Sequence, residues 1–338
     1  MRSLRTATAC LILAGLLTAP AQAAHAPKDA CTWTETPIPP ADTWGTADVV
    51  AGTGTGHYAG AVRRVEDGQF FMEMVLWTAG EPFGRTQPPP PGYRRPGPVD
   101  ENGAGTVAVN AQSFDPSETG ASFRYHGGHQ GLGVYERLPV PDGFKQVNAE
   151  SINERGDVLG TATADNRTEA VVWPGDGAPP VVLGLPEGNY LLRAIDIDDD
   201  GTALLHLGQG PHLWRAGVLI PLATPPGYRL TSASSLRGGI AVGYTRAFDE
   251  VATHQGLLWS DPAKPEFLKG AAFGDDINAG GQVLGRDTEF ADAVWQRTTF
   301  VDAIPANGPA HRVFDDGSIL AERPGGYSVW RAACPGTT

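Results

Sequence analysis

The sequence predicts an all-β fold, a seven-bladed β-propeller of four-stranded antiparallel blades, and three observations carry that prediction. A four-strand unit recurs along the chain. An aromatic residue marks the third strand of each unit. The last unit is one strand short, and the N-terminus holds a segment that can complete it.

The unit is clearest from Gln146 to Pro186. Gln146 to Asn153, Asp157 to Thr163, Glu169 to Trp173 and Pro180 to Leu185 read as strands, with Gly, Asn and Asp at the turns between them. The first turn returns as Asp100-Glu101-Asn102-Gly103, Asp198-Asp199-Asp200-Gly201, Leu236-Arg237-Gly238-Gly239, Asn278-Ala279-Gly280-Gly281 and Asp315-Asp316-Gly317. Apolar pairs follow most of these turns, such as Val158-Leu159, Val283-Leu284 and Ile319-Leu320.

The third-strand aromatics are Trp77, then Tyr125 or Tyr135, then Trp173, Trp214, Trp259, Trp295 and Trp330. Each is expected to wedge between neighbouring blades. The exits from the fourth strands read Pro91-Gly92-Tyr93, Pro141-Asp142-Gly143-Phe144, Pro186-Glu187-Gly188-Asn189-Tyr190 and Pro226-Gly227-Tyr228. In each, Pro sets φ, Gly permits a positive φ, and the aromatic is expected to re-enter the core. Stacking such units around an axis buries both faces of every sheet, which one unit alone cannot do.

After Trp330 only eight residues remain, too few for a fourth strand. Cys31 to Pro40 reads as that strand, so the ring is expected to close with three C-terminal strands and one N-terminal strand. This places Cys31 beside Cys334, at opposite ends of the mature chain. Two cysteines in an exported protein pair. Closing a loop of about 300 residues lies near the upper end of the roughly 0–5 kcal/mol range for such bonds.

Export is expected from residues 1–23. Arg2 and Arg5 precede the short apolar stretch Ala9 to Ala19, and Ala21-Gln22-Ala23 suits cleavage. Residues 24–30 then form a linker, 31–334 the single propeller domain and 335–338 a tail. Cys10 has no lipobox, so no membrane anchor is expected. The net charge is −13, falling to about −15 without Arg2 and Arg5, which argues against nucleic acid and anionic membranes as partners. A monomer that engages an extracellular protein is expected.

No motif assigns catalytic or cofactor-binding residues, and no cofactor is called for. There is no H-E-x-x-H, no G-x-S-x-G and no S-x-D-x-G-x-T-W box. Asp196, Asp198 and Asp200 match the first half of a calcium loop, but Leu207 stands where a bidentate Glu belongs, so the run reads first as a turn. His126 and His129 lie in a Gly-rich loop without a third ligand in view. Gly52 to Gly56 reads as a hairpin turn. Pro88 to Pro91, followed by Arg94-Arg95-Pro96, reads as a stiff interblade connection, the alternative being a polyproline II surface segment read by a partner. Asn166-Arg167-Thr168 fits a glycosylation sequon.

The core Ile152-Asn153-Glu154-Arg155-Gly156-Asp157-Val158-Leu159-Gly160, repeated as Ile277 to Gly285 and followed by Ala-Val-x-Trp, resembles the extracellular HAF-repeat proteins. These are secreted bacterial propeller-like proteins with no general assigned activity. The size, export and blade count also resemble the dispase autolysis-inducing proteins of streptomycetes. That resemblance implies protease modulation and transglutaminase-reactive glutamines, for which Gln69, Gln87, Gln112, Gln130, Gln209, Gln255 and Gln296 are placed at turns or near loops.

The expectation is therefore a non-enzymatic binding or scaffold protein working through the loops of one face. The alternative is a hydrolase or lyase acting on a polysaccharide with carboxylates at the central channel. Two or more convergent carboxylates with an Arg at the axis would favour the alternative.

Overall fold

The computed structural model describes residues 31–165, 167–247 and 253–334. The export segment, the linker, the tail and Asn166 of the sequon lie outside the described residues. The described residues form seven four-stranded antiparallel sheets. Their first strands are Thr46–Gly52, Tyr93–Glu101, Gln146–Ile152, Leu191–Ile197, Tyr228–Arg237, Ala271–Ile277 and Ala310–Val313, which open blades one to seven.

The seventh sheet is completed from the other end of the chain. Thr32–Pro37 pairs antiparallel with Gly326–Ala333, placing Thr32 opposite Ala333 and Glu35 opposite Trp330. Cys31 and Cys334 are joined by a disulfide with an S–S distance of 2.03 Å and Cα atoms 4.2 Å apart. The Asp302 carboxylate of blade six accepts from Cys31 N at 3.0 Å and from the Trp33 indole at 3.1 Å, which ties the closing strand to its neighbour.

The apolar core is seven separate layers, one between each pair of adjacent blades. Ala108 of blade two packs with Val158, Val171 and Trp173 of blade three, and Leu284 of blade six packs with Ile319 and Trp330 of blade seven. The third-strand tryptophans wedge as expected. Trp173 is 1% exposed, and its indole N–H donates to Pro139 O at 2.8 Å, in the segment leaving blade two. Trp77, Trp214, Trp259 and Trp295 donate in the same way to Pro39, Leu183, Ala223 and Lys269. Tyr125 takes this role in blade two, since it pairs with Val107 as Trp173 pairs with Val158.

Trp173→Ala should therefore cost about 3–5 kcal/mol, through lost burial and the cavity left between two blades. Denaturant unfolding would read it, and a loss below about 1 kcal/mol would contradict the wedge.

Of the exit aromatics, Tyr93 is buried but Tyr190 is 62% exposed. At that exit Leu191 fills the core instead, one residue later.

The last Gly of the repeated motif has a steric reason. A Cβ on Gly160 would lie 2.0 Å from Asn148 O, and one on Gly243 would lie 2.0 Å from Ser232 O. The first strand presses against the second there because a bulge follows immediately, between Ala149 and Ser151 and between Ala233 and Ser235. Every first strand carries a bulge at this level. A bulge adds one residue and re-aims the side chains after it.

Candidate functional site: the axial carboxylate ring

In blade four, Ala194 and Ile197 pack toward blade three while Ile195 packs toward blade five. The bulge lets these residues serve both layers and leaves Asp196 facing the axis. The same position in blades one to seven holds Ala51, Asp100, Ser151, Asp196, Ser235, Asp276 and Arg312. Carboxylates and hydroxyls alternate, and one guanidinium closes the circle.

These groups are linked. Asp100 Oδ2 accepts from Ser151 Oγ at 3.1 Å and from Ile152 N at 3.0 Å. Ser151 Oγ also lies 2.7 Å from Asp196 Oδ1. Asp196 Oδ2 accepts from Ser235 Oγ at 3.1 Å and from Leu236 N at 2.8 Å. Asp276 Oδ2 accepts from Val313 N at 2.9 Å. Across the ring, Arg312 Nη2 stands 3.3 Å from Asp100 Oδ1.

Three carboxylates share one guanidinium, so charge is unevenly distributed. Burial, followed by the neighbouring Asp100, pushes Asp196 up to about 6, while the Leu236 N–H, the Ser151 hydroxyl and Arg312 pull the other way. Burial also raises Asp276, opposed mainly by Arg312. Asp100, ahead of Asp276 and Asp196, holds the Arg312 guanidinium above its usual range. The Ser151 hydroxyl has a single proton, so it cannot donate to Asp100 and Asp196 together.

The ring floors a cavity of about 280 Å³ lined by six carboxylates and two guanidinium groups. Its mouth is crossed by Arg237, whose guanidinium donates to Asp315 at 2.8 Å, Glu154 at 2.9 Å and Asp199 at 3.3 Å. Burial works against this cation, but Asp315, Asp199 and Glu154 more than offset it and hold Arg237 charged. Arg237→Ala should lower stability by about 1–3 kcal/mol, because three carboxylates lose a shared charged donor. Thermal unfolding at low and high salt would check it, with the larger loss at low salt.

Glu101 also lines the cavity and is fully buried. It contacts His129 Nε2 at 2.6 Å, and His129 Nδ1 lies 3.1 Å from Thr78 Oγ1. Burial raises Glu101, with His129 opposing. His57 stacks on His129 at 4.4 Å.

The sequence-singled residues fall out as follows. Asp196 joins the axial ring, whereas Asp198 is tied to Gly238 N at 3.0 Å and to Gly239 N. Asp200 accepts from Thr202 N at 2.8 Å and pairs with Arg215 at 3.6 Å. The three carboxylates of that run thus serve three different neighbourhoods. His126 and His129 also part company: His126 bonds Glu136 at 3.2 Å while His129 turns to Glu101. Gly52 to Gly56 lies at the first hairpin turn of blade one. Asp100, Asp276 and Arg312 carry no local motif. Aligning the units on their first turns would find them, since Asp276 and Arg312 stand just before the apolar residues Ile277 and Val313 that precede the turn, and Asp100 stands at the same place before Glu101.

The fold and site define a seven-bladed β-propeller with an acidic pocket on its axis. No family model and no curated protein matches the chain. Solved structures match it in fold. An oligogalacturonate lyase from Vibrio parahaemolyticus is 8% identical with a TM-score of 0.58, over 91% of this chain and 98% of that one. A Pyrococcus horikoshii acylaminoacyl peptidase is 10% identical with a TM-score of 0.54, over 86% of this chain. The chain spans 52% of that peptidase. It spans only 39% of a Mycobacterium tuberculosis puromycin-hydrolyzing peptidase, which is 14% identical over 68% of this chain with a TM-score of 0.48.

One expectation is corrected by these comparisons. The reading of a protein without enzymatic activity rested on a binding architecture lacking catalytic motifs. The same architecture belongs to proteins named as a lyase and a peptidase, so the fold gives that reading no support.

Proposed function

We propose that this protein is an exported hydrolase that acts on a neutral polysaccharide at the axial pocket. The observation that carries the proposal is the convergence of Asp100, Asp196 and Asp276 with Arg312 at one level of the channel. Asp196 retains a proton to about pH 6 and serves as the acid for the leaving oxygen. Asp100, oriented by Arg312 and Ile152 N, is the partner carboxylate that stabilises positive charge at the reacting carbon. Both reach the Ser151 hydroxyl, Asp100 at 3.1 Å and Asp196 at 2.7 Å, so the two carboxyl groups flank one side chain. An excess of carboxylates disfavours uronate-bearing chains, which weighs against a lyase on such substrates. Kinship with HAF-repeat proteins rests on the shared turn syntax and fits export.

A second reading has its own observation. Asp100, Asp196 and Asp276 each accept an N–H from the next blade, at Ile152, Leu236 and Val313. Such bonds also suit a girdle that braces a ring, with the acidic rim of Glu154, Asp199 and Asp315 engaging a basic extracellular protein.

Incubating the mature protein with neutral glucans, mannans, chitin and aryl glycosides separates the readings. Release of reducing ends, lost by about 100-fold or more in Asp196→Asn with folding retained, is the expected result. No turnover on any glycan, or an unchanged Asp196→Asn, would leave the girdle.

A further inference from the structure

Tyr93–Glu101 runs from one face of the ring to the other, and its two ends meet different environments. Glu101 opens on the axial pocket, while Arg94 and Arg95 line a groove of about 740 Å³ between blades one and two on the opposite face. Phe70, Met72, Pro89 and Phe114 complete the groove.

Phe114 is 64% exposed and Phe70 41% exposed. The Arg94 guanidinium lies 5.6 Å from the Phe114 ring and that of Arg95 5.1 Å from the Phe70 ring. Arg95 is further fixed by Phe70 O at 2.8 Å and Gln112 Oε1 at 3.1 Å. Its φ of 53° is a left-handed conformation that a non-glycine residue adopts at a cost. Neither arginine has an ion-pair partner among the described residues. Glu73, the acidic residue in the groove lining, is engaged by both terminal nitrogens of Arg64.

A chain of net charge −13 thus presents, at one place, two preset guanidinium groups flanked by exposed phenyl rings. Phe, Met and Arg are the residues enriched at protein interface cores, and Met72 gives the floor an adaptable surface. The cations call for carboxylates and the rings for an apolar side chain. We infer that this groove binds an acidic peptide segment of a protein partner, one aromatic or aliphatic side chain seated between Phe70 and Phe114 and carboxylates on Arg94 and Arg95. The site is independent of the axial pocket, because it lies on the other face and shares no residue with it.

The test is fluorescence anisotropy of the full chain with a labelled nonapeptide carrying a central Phe among Asp and Glu. The expected affinity is in the range of about 10–100 μM, weakening as salt rises. Arg94→Glu and Phe114→Ser should each weaken binding about tenfold or more, while Arg193→Glu on blade four leaves it unchanged. Equal binding of a peptide with Lys in place of the acids, or full binding by both groove variants, would overturn the assignment. So would an oligogalacturonate that binds with the same sensitivity to the variants while the peptide does not, since the groove would then be a glycan site.

Discussion

Replacing Cys31 and Cys334 together by serine is expected to lower the unfolding free energy by about 4–5 kcal/mol. The bond spans 303 residues, so the cross-link removes more freedom from the unfolded chain than a short loop would. The folded ring loses little directly. Thr32–Pro37 keeps its pairing with Gly326–Ala333, and Trp33 keeps its bond to Asp302. The variant should therefore fold to the same ring with an earlier denaturant midpoint. Amide exchange at Thr32–Pro37 should rise ahead of the other blades, because the closing strand can then detach by itself. A change below about 1 kcal/mol would show that strand pairing, not the staple, closes the ring.

The second large effect concerns Asp196. Its carboxyl is raised from an ordinary 3.8 to about 6. Between those values the folded protein binds a proton that the unfolded chain has released. Stability from this group is thus fully present below about pH 4 and is lost as pH rises to about 6. Asp196→Asn should flatten that part of the stability profile, since the amide does not titrate. The same proton sets the proposed chemistry. The rate should fall above about pH 6, and Asp196→Asn should remove that limb along with about 100-fold or more of the activity. If the stability slope disappears in the variant while turnover and its pH limb persist, Asp196 braces the ring but is not the acid.

The ring was legible because its signals are local. Each turn needs Gly, Asn or Asp at a set place, and each interblade layer needs one large aromatic such as Trp173 or Trp259. The short last unit and the placement of Cys31 and Cys334 followed from counting strands. The aromatic of blade two stayed open because Tyr125 and Tyr135 both suit a strand; only the pairing of Tyr125 with Val107 places it in the layer. Tyr190 misled because exit syntax does not say which of Tyr190 and Leu191 points inward.

The axial site shows the same division. Taken by themselves, Asp196, Asp198 and Asp200 read first as a single turn and only second as half of a calcium loop, since alternate carboxylates in one turn are a local pattern. In the ring, Asp196 answers to Ser151 and Ser235 from two other blades, and Asp198 to the turn at Gly238. The sequence by itself determined the repeat, the blade number and the cysteine staple, because these depend on periodicity and short-range turn chemistry. Only the tertiary structure decided which carboxylates meet at the axis. That outcome depends on a one-residue bulge in each first strand and on residues dozens of positions apart being carried to the same level of a closed ring.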